Sequence, residues 1–203
     1  MRVITKTVYF YDELSDEAKE RALHSVGPIF IEEDWAEFTI EEIVQLGALL
    51  GIRIYNRTAH LYNGGTREVP AVYFDTDRHE FTYNGRYCRK EWKEDAAKLY
   101  GYSETGKPDG VFCEFLAEWA AYERRLSPAC ADVTVDIRNG RAFDYSEDIT
   151  IDDENTLAFM IDSFCELALQ LLNKEYEFLQ SREYREDFIR NNEYEFDSDG
   201  DLV

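Results

Sequence analysis

The sequence predicts an α+β fold in which an antiparallel sheet with hairpins packs against several helices, including one long C-terminal core helix. Short β-prone segments divided by Asn-Gly and Gly-Gly pairs occupy the middle of the chain, a pattern typical of hairpins. An apolar stripe at helical spacing extends from Leu157 to Leu179. Strands and helices do not alternate regularly as in a parallel sheet. We therefore expect a single α+β domain over residues 1–203, with sub-lobes 1–126 and 127–203 as an alternative division.

The first fifty residues predict one strand and two helices. Arg2–Tyr11 is rich in β-branched and aromatic side chains, which favour a strand. Ser15 is the predicted N-cap of a helix that ends near Val26, because two acids follow it in the first turn and Gly-Pro follows the end. A second helix is predicted over about Glu32–Leu50. Its apolar stripe comprises Trp35, Thr39, Ile43, Leu46 and Leu50.

The remaining elements are strands, then helices, then a hairpin and the long helix. The predicted strands are Ile52–Tyr62, Val69–Asp75 and Glu80–Tyr87, with a turn at residues 63–65 and Asn84-Gly85 as a further turn candidate. The predicted helices are Arg89–Tyr100 and Val111–Leu126, separated by the breaker-rich run Gly101–Gly110. A hairpin is predicted from Cys130–Arg138 and Arg141–Tyr145 around Asn139-Gly140. The long helix is expected to begin after Asp152 or Asp153 as its cap.

The charge of the chain is large and unevenly distributed. The 43 acidic and 22 basic residues give a formal net charge of −21, well beyond the roughly 2 to 8 units that keep a small domain soluble. Residues 1–50 hold 4 basic and 11 acidic residues, residues 51–143 hold 14 of each, and residues 144–203 hold 4 and 18. The sums are −7, 0 and −14, so the two ends are predicted to form the interaction surface. A cationic partner is favoured, whereas direct binding to nucleic acid or an anionic membrane is disfavoured.

Cysteine spacing and hydropathy bear on location and cofactors. The four cysteines, Cys88, Cys113, Cys130 and Cys165, include no Cys-x-x-Cys pair, so we expect reduced thiols and no zinc site. No apolar run approaches the roughly 18 residues that span a membrane. The expected location is the cytoplasm, and no cofactor is predicted because phosphate-binding and nucleophile-elbow motifs do not occur.

Rows of carboxylates are the most informative local pattern. Three glutamates recur at intervals of four residues along the second predicted helix, where like charges cost roughly 0.2 to 0.5 kcal/mol per pair. In an extended strand, residues 193–199 would place acids on one side and aromatics on the other, and basic residues are not expected to intersperse with these rows. Such rows resemble the phosphates of a nucleic acid to a basic groove. The predicted partner-binding residues are Glu33, Glu37, Glu41, Glu183, Glu186, Asp187, Glu193, Glu195, Asp197 and Asp199.

An enzymatic alternative depends on the segment Asp75 to His79. Asp75, Asp77 and His79, together with His60, could bind a divalent cation or act as acid and base. A solvated turn is the simpler interpretation of the same residues. The run Asp197 to Asp201 is not an EF-hand, because its glycine comes one position early and no bidentate glutamate follows.

Two segments at the acidic ends have distinctive sequences. They are Tyr-Phe-Tyr-Asp-Glu-Leu-Ser-Asp-Glu-Ala-Lys-Glu-Arg-Ala at Tyr9–Ala22, and Glu-Tyr-Glu-Phe-Leu-Gln-Ser and Asn-Asn-Glu-Tyr-Glu-Phe-Asp-Ser-Asp-Gly within Glu175–Gly200. On these residues the chain resembles a family of small phage and mobile-element proteins, some of which are labelled antitoxin-like. The resemblance implies a phage protein that inhibits bacterial immunity, of the anti-CRISPR or antirestriction kind. CRISPR effectors and other defence nucleases hold nucleic acid in basic channels, which an acidic protein could occupy.

We therefore predict a non-enzymatic, stoichiometric counter-defence inhibitor that binds a basic channel of a bacterial immunity complex. Three alternatives remain at this point. They are a nuclease-like enzyme that disarms a defence system by cutting guide RNA or a signalling nucleotide, an antitoxin that neutralises a basic toxin, and a halophilic housekeeping protein. The neutral middle segment fits the last of these poorly, because adaptation to salt would acidify the whole surface.

Overall fold

The computed structural model describes residues 6–27, 35–62, 64–89 and 110–203. The predicted partner-binding residue Glu33 lies outside these ranges, as do the predicted helix Arg89–Tyr100 after its first residue and the segment 101–109. Within the described residues the fold is α+β with antiparallel sheets and a long C-terminal helix, which confirms the predicted class.

The elements follow the predicted order with several changed boundaries. The described α-helices are α1 Asp16–Ser25, α2 Glu37–Leu49, α3 Gly110–Arg125, α4 Ile151–Gln180 and α5 Arg182–Asn191. The strands are β1 Tyr9–Phe10, β2 Ile52–Ile54, β3 Asn56–His60, β4 Thr66–Pro70, β5 Val72–Asp75, β6 Glu80–Tyr83, β7 Gly85–Cys88, β8 Thr134–Arg138, β9 Arg141–Tyr145 and β10 Glu195–Phe196. A strand was predicted over Arg2–Tyr11. In the described part of that range, regular strand structure is limited to β1, and a 3-10 turn follows at Tyr11–Glu13.

Three antiparallel strand pairs meet at a backbone junction in the middle of the chain. The pairs are β2 with β7, β3 with β4 and β5 with β6, and β8 and β9 extend the first of them. The Tyr55 N–H donates to the Asn84 carbonyl at 2.8 Å, Ala71 donates to Tyr55 at 2.7 Å, and Asn84 donates to Ala71 at 3.0 Å. This cycle satisfies both backbone groups of all three residues, so the strands can change partner without leaving polar groups unpaired.

The turn candidate Asn84-Gly85 does not form a hairpin turn. The two residues connect β6 directly to β7 at the junction, and the chain does not reverse there. Glycine is needed for a different reason, because a Cβ at Gly85 would lie 2.3 Å from the Arg53 carbonyl oxygen. The Asn-Gly pair therefore marks a close approach of two backbones.

The predicted hairpin and the predicted core helix are both present. Asn139 and Gly140 connect β8 and β9 with φ angles of 50° and 71°, as a type I′ turn requires. In α4, Leu157, Met160 and Phe164 are at most 1% exposed. The helix begins at Ile151 rather than after an Asp cap, because the Thr150 hydroxyl accepts from the N–H of the third helical residue at 3.2 Å.

The chain forms two compact units that differ from the sub-lobes suggested by the sequence. The terminal unit comprises Met1–Glu37 and Lys174–Val203, and the central unit comprises Phe38–Asn173. The core of the central unit brings strands and helices together through edge-on ring contacts, with the centroids of Tyr83 and Phe164 5.5 Å apart.

The terminal unit has a core of its own that joins both ends of the sequence. Ser15 caps α1 as predicted, since its hydroxyl accepts from the Ala18 N–H at 3.3 Å. Strand β1 pairs antiparallel with β10, which places Tyr9 opposite Phe196. The core residues are Tyr11, Leu14, Ala18, Ala22, Leu23, Val26, Ile189 and Phe196.

Among the described residues, α4 is long and apolar enough, by length and composition, to cross a membrane. Its most apolar window has a mean hydropathy of 1.2, and 39% of that window is buried. Core helices have the same property, and the apolar stripe of α4 is buried within the fold.

Candidate partner-binding surface

Most of the predicted partner-binding residues fall in the terminal unit. Glu37 begins α2 there, whereas Glu41, one turn later, belongs to the central unit. Glu183, Glu186 and Asp187 lie on α5, a helix that the sequence analysis did not predict. The terminal unit contains 8 basic and 19 acidic residues, a formal charge of −11 on 67 residues. The central unit contains 14 basic and 24 acidic residues, or −10 on 136 residues, so the terminal unit has the higher charge density.

Basic residues do intersperse with the acids of the C-terminal segment, contrary to the prediction. On α5, Arg182 and Arg190 bind Glu186 from opposite sides at 2.7 and 3.1 Å. Arg182 also binds Glu20 of α1, and Arg190 binds Asp12 at 3.0 Å. These arginines connect the two ends of the sequence, so Glu186 is part of the internal structure rather than a free site.

The same ion pairs shift the titration of their members. The Arg182 guanidinium, through its hydrogen bond, holds the pKa of Glu186 below its usual range. Burial, followed by the neighbouring Glu186 carboxylate, raises the pKa of Tyr11 to about 12. The Tyr11 ring also faces two cations, with Lys19 at 5.9 Å and Arg190 at 5.3 Å from its centroid. The terminal unit therefore contains an example of cations that lie over an aromatic ring next to a carboxylate.

The extended strand that would line up the acids of residues 193–199 in one row does not form. Regular strand structure covers Glu195–Phe196 alone, and Glu193 has a φ of 52°, in the left-handed region. Tyr194 and Phe196 do pack on the core, as the alternation suggested. The acids around them do not form a straight row, however, because the chain turns both before and after β10.

Asp197 has a structural role in the loop after β10. Its carboxylate accepts from the backbone N–H of Asp199 at 3.0 Å and of Asp201 at 3.1 Å. These bonds hold the pKa of Asp197 below its usual range, with the bond from Asp201 the largest cause. Lys6 lies 4.0 Å away. The carboxylate organises its own loop and is not available in full to a partner.

Four of the predicted acids in the terminal unit are exposed, and among the described residues their carboxylates form no hydrogen bond or ion pair. These residues are Glu183, Glu193, Glu195 and Asp199. Glu193 borders a surface pocket of about 220 Å³ between β1 and the end of α5, where Phe10 and Tyr194 supply aromatic walls. Phe10 is 51% exposed. Aromatic faces next to carboxylates suit a lysine or arginine side chain.

The residues of the enzymatic alternative do not converge. Asp75 closes a turn by accepting from the N–H groups of Asp77 at 3.1 Å and Arg78 at 3.0 Å. His79 follows with a φ of 53°, whereas His60 ends β3 on a different strand pair. In the described ranges no three His, Cys, Asp or Glu side chains are placed to hold a metal ion. The simpler interpretation, a solvated turn, accounts for these contacts.

Three cysteines are free thiols, and two of them are poor nucleophiles because burial raises the pKa of the thiol. Cys88, Cys130 and Cys165 form no disulfide among the described residues. Burial raises the pKa of Cys165 to about 12 and raises that of Cys130 as well. A thiol that stays protonated is a poor nucleophile.

A buried polar network in the central unit escaped the sequence analysis. Arg89 and Glu123, each 6% exposed, form an ion pair at 2.9 Å, and the Tyr87 hydroxyl donates to the same carboxylate. Arg89 also donates to the Ser127 carbonyl at 2.9 Å. Asp153, 4% exposed, accepts from the Ser127 hydroxyl at 2.9 Å. The network joins β7, the end of α3 and the start of α4, which is a structural role.

Asp153 is expected to make stability depend on pH in acid. Hydrogen bonds, chiefly from the Ser127 N–H, lower the pKa of Asp153 from 3.8 to about 2. Because the folded pKa is the lower one, the stabilisation of about 2 kcal/mol is present above pH 4 and is lost as the pH falls towards 2. Urea unfolding at several pH values should show this loss in the parent and not in Asp153→Asn.

The exposed neighbour Asp152 provides the control for this measurement. Asp152→Asn should retain the acid dependence and change stability at neutral pH by only about 0.5 kcal/mol. Equal pH profiles for the parent and Asp153→Asn would contradict the assignment.

Comparisons with known proteins add no relative to this description. The family models, the curated proteins and the solved structures that were searched contain no match to the chain. The molecule is thus defined by its own features: an α+β fold, a strongly acidic unit built from both ends of the sequence, and a central unit that carries a buried polar network.

Proposed function

We propose that the chain is a binding protein that uses its terminal unit to occupy a basic protein surface. The observation that carries the proposal is the joining of both acidic ends into one compact unit of charge −11. A unit of this charge attracts cationic surfaces over several ångströms and speeds association with them.

The geometry supports contact at the end of α5 and the loop after it. Arg182 and Arg190 of α5 form ion pairs with carboxylates of the same unit. Their charges therefore stabilise the fold and do not neutralise the exposed acids. The four exposed acids defined above remain available for a partner, and the pocket beside Glu193 offers aromatic contact in addition. A partner that presents lysines and arginines would gain both charge-assisted hydrogen bonds and cation–π contacts.

In its finer form, the proposal is a stoichiometric inhibitor that keeps nucleic acid out of a basic channel of a bacterial immunity complex. The two acidic ends that resemble phage proteins are the same segments that form the terminal unit. Nucleic-acid channels are lined with lysine and arginine, and a compact acidic unit can compete with phosphate for them. This role requires no turnover and no cofactor.

The test is competition with DNA for the proteins that the chain captures. The immobilised chain is incubated with nuclease-treated bacterial lysate, and each captured protein is purified and assayed for DNA binding in the presence of the chain. We expect inhibition at an equimolar ratio that weakens steeply as salt is raised. Inhibition far below an equimolar ratio would instead indicate catalysis.

A charge-matched pair of variants makes this test specific. The fourfold variant Glu183→Gln, Glu193→Gln, Glu195→Gln, Asp199→Asn should lose about tenfold or more in affinity, because each lost charge-assisted bond contributes about 1.5 to 3 kcal/mol at most. The control neutralises four exposed acids of the central unit, Asp132, Glu147, Asp148 and Glu166. Equal losses in both variants would assign binding to net charge alone and contradict a site on the terminal unit.

A further inference from the structure

A second surface, on the central unit, presents arginines instead of the carboxylates of the terminal unit. The tip of the β8–β9 hairpin is fixed against β6 by two backbone donors. The Gly140 N–H donates to the Tyr83 carbonyl at 2.8 Å, and the Asn139 N–H donates to the Asn84 side-chain oxygen at 2.9 Å. These bonds hold the hairpin next to the β5–β6 pair and leave a groove between them.

The groove has about 720 Å³ of space and aromatic walls, a volume within the range of small-molecule sites. Tyr73 on β5 is 52% exposed and Phe143 on β9 is 59% exposed. Thr82, directly opposite Tyr73 in the strand register, adds a hydroxyl. Because the residues that line the groove lie on hydrogen-bonded strands, the groove exists before a ligand binds.

Two arginines line the same groove in an arrangement that is unfavourable in the empty protein. Arg138 and Arg141 lie directly opposite each other across the hairpin, and like charges in that position are destabilising. The Arg138 guanidinium lies 3.7 Å from the centroid of the Phe143 ring. Although acids outnumber bases two to one in the chain, neither arginine has an ion pair among the described residues. Glu80 is the carboxylate that lines this groove.

We infer that this groove binds a mononucleotide, with the base on the exposed aromatic rings and the phosphate on the two arginines. Aromatic faces stack on any base, and the guanidinium fork binds phosphate oxygens in pairs. A phosphate would also relieve the repulsion between Arg138 and Arg141. A long nucleic acid fits less well, because its repulsion by a chain of charge −21 grows with each added phosphate. The site is separate from the acidic surface and does not depend on it.

The experiment is a titration of the full chain with AMP, followed through the amide NMR signals of residues 138–143. Saturable shifts at these positions are expected. The affinity for AMP should be about tenfold higher than that for adenosine, which lacks the phosphate, or for ribose 5-phosphate, which lacks the base. Inorganic phosphate alone is expected to bind more weakly still.

Variants separate the two parts of the site. Arg141→Gln should weaken AMP about tenfold and leave adenosine unchanged, whereas Phe143→Ala should weaken both. Arg57→Gln and Tyr62→Ala change an exposed arginine and an exposed tyrosine of the central unit outside the groove, and neither should alter binding.

Three outcomes of the AMP titrations would overturn the inference. They are the absence of saturable shifts up to about 10 mM AMP, shifts confined to residues outside the groove, and AMP binding that survives both groove variants. Tighter binding of a short single-stranded RNA than of AMP would also overturn it, and would replace a mononucleotide site with a strand-binding surface.

Discussion

Replacing Glu123 with alanine should destabilise the central unit by about 3 to 5 kcal/mol, because it leaves the Arg89 charge buried without its partner. Arg89 lies inside the fold with its guanidinium bonded to Glu123 and to carbonyls at the end of α3. The Tyr87 hydroxyl would lose its acceptor as well. The measurement is urea unfolding followed by circular dichroism.

Two further variants show that the loss comes from the buried charge. Glu118 lies on the same helix but is exposed, and its contact is a 2.7 Å bond from the Tyr122 hydroxyl, so Glu118→Ala should cost less than about 1 kcal/mol. The double variant Arg89→Met, Glu123→Leu removes both charges and should recover more than half of the loss, since apolar pairs can replace buried ion pairs. A double variant as unstable as Glu123→Ala would contradict the explanation.

Replacing Gly200 with alanine should destabilise the terminal unit by about 3 kcal/mol or more, because backbone strain and overpacking act together there. Gly200 has a φ of 91°, and a Cβ on it would lie 2.1 Å from the carbonyl oxygen of Ala18 in α1. The loop after β10 cannot accept a methyl group without moving away from α1. Hydrogen exchange of the amides in α1 and α5 should therefore accelerate.

The control variant Gly64→Ala measures the cost of backbone strain without overpacking. The φ of Gly64 is 82°, but no described atom lies within 4 Å of its added Cβ, so Gly64→Ala should cost about 1 kcal/mol. Unchanged exchange in α1 and α5 after Gly200→Ala would mean that the loop does not support the terminal unit. Loss of partner binding in the same variant would tie the loop to the proposed function.

The sequence predicted the elements whose signals are local. Ser15 caps α1 because its hydroxyl needs only the N–H three residues later. Asn139-Gly140 forms its hairpin because both residues accept positive φ angles. The apolar stripe of α4 identified the core helix because its period reflects one buried face. Each of these signals depends on residues within a few positions of one another.

The predictions that failed depended on distant partners. Asn84-Gly85 has the sequence of a turn, yet the approach of the Arg53 backbone decides its conformation. The acids at 193–199 would form a row only in an extended strand, but Glu193 has a positive φ and β10 covers two residues. Helix α5 was missed because its charged residues suggest a solvated segment, whereas Ile189 and the ion pairs to α1 and Asp12 anchor it.

The sequence indicated which segments are rich in acidic residues, but not how their carboxylates are arranged in the fold. The count of acids identified the two terminal segments as strongly acidic, and the structure joins them in one unit; whether this unit binds a partner stays a prediction. Which carboxylates remain available could not be predicted, because Glu186 and Asp197 are engaged by groups that come close only after folding. The buried pair of Arg89 and Glu123 gave no pattern at all, since the two residues are 34 positions apart.

The ion pair between Asp12 and Arg190 joins residues that are 178 positions apart in the chain. At a synthesis rate of about 5 to 20 residues per second, Asp12 leaves the ribosome roughly 10 to 40 s before its partner exists. During that interval the continuous central unit can complete its fold, while α1 has no strand β10 or helix α5 to cover its apolar face. The terminal unit can therefore fold only after α5 and β10 have been synthesised, and the proposed affinity for a basic target should be absent from a nascent chain that lacks them.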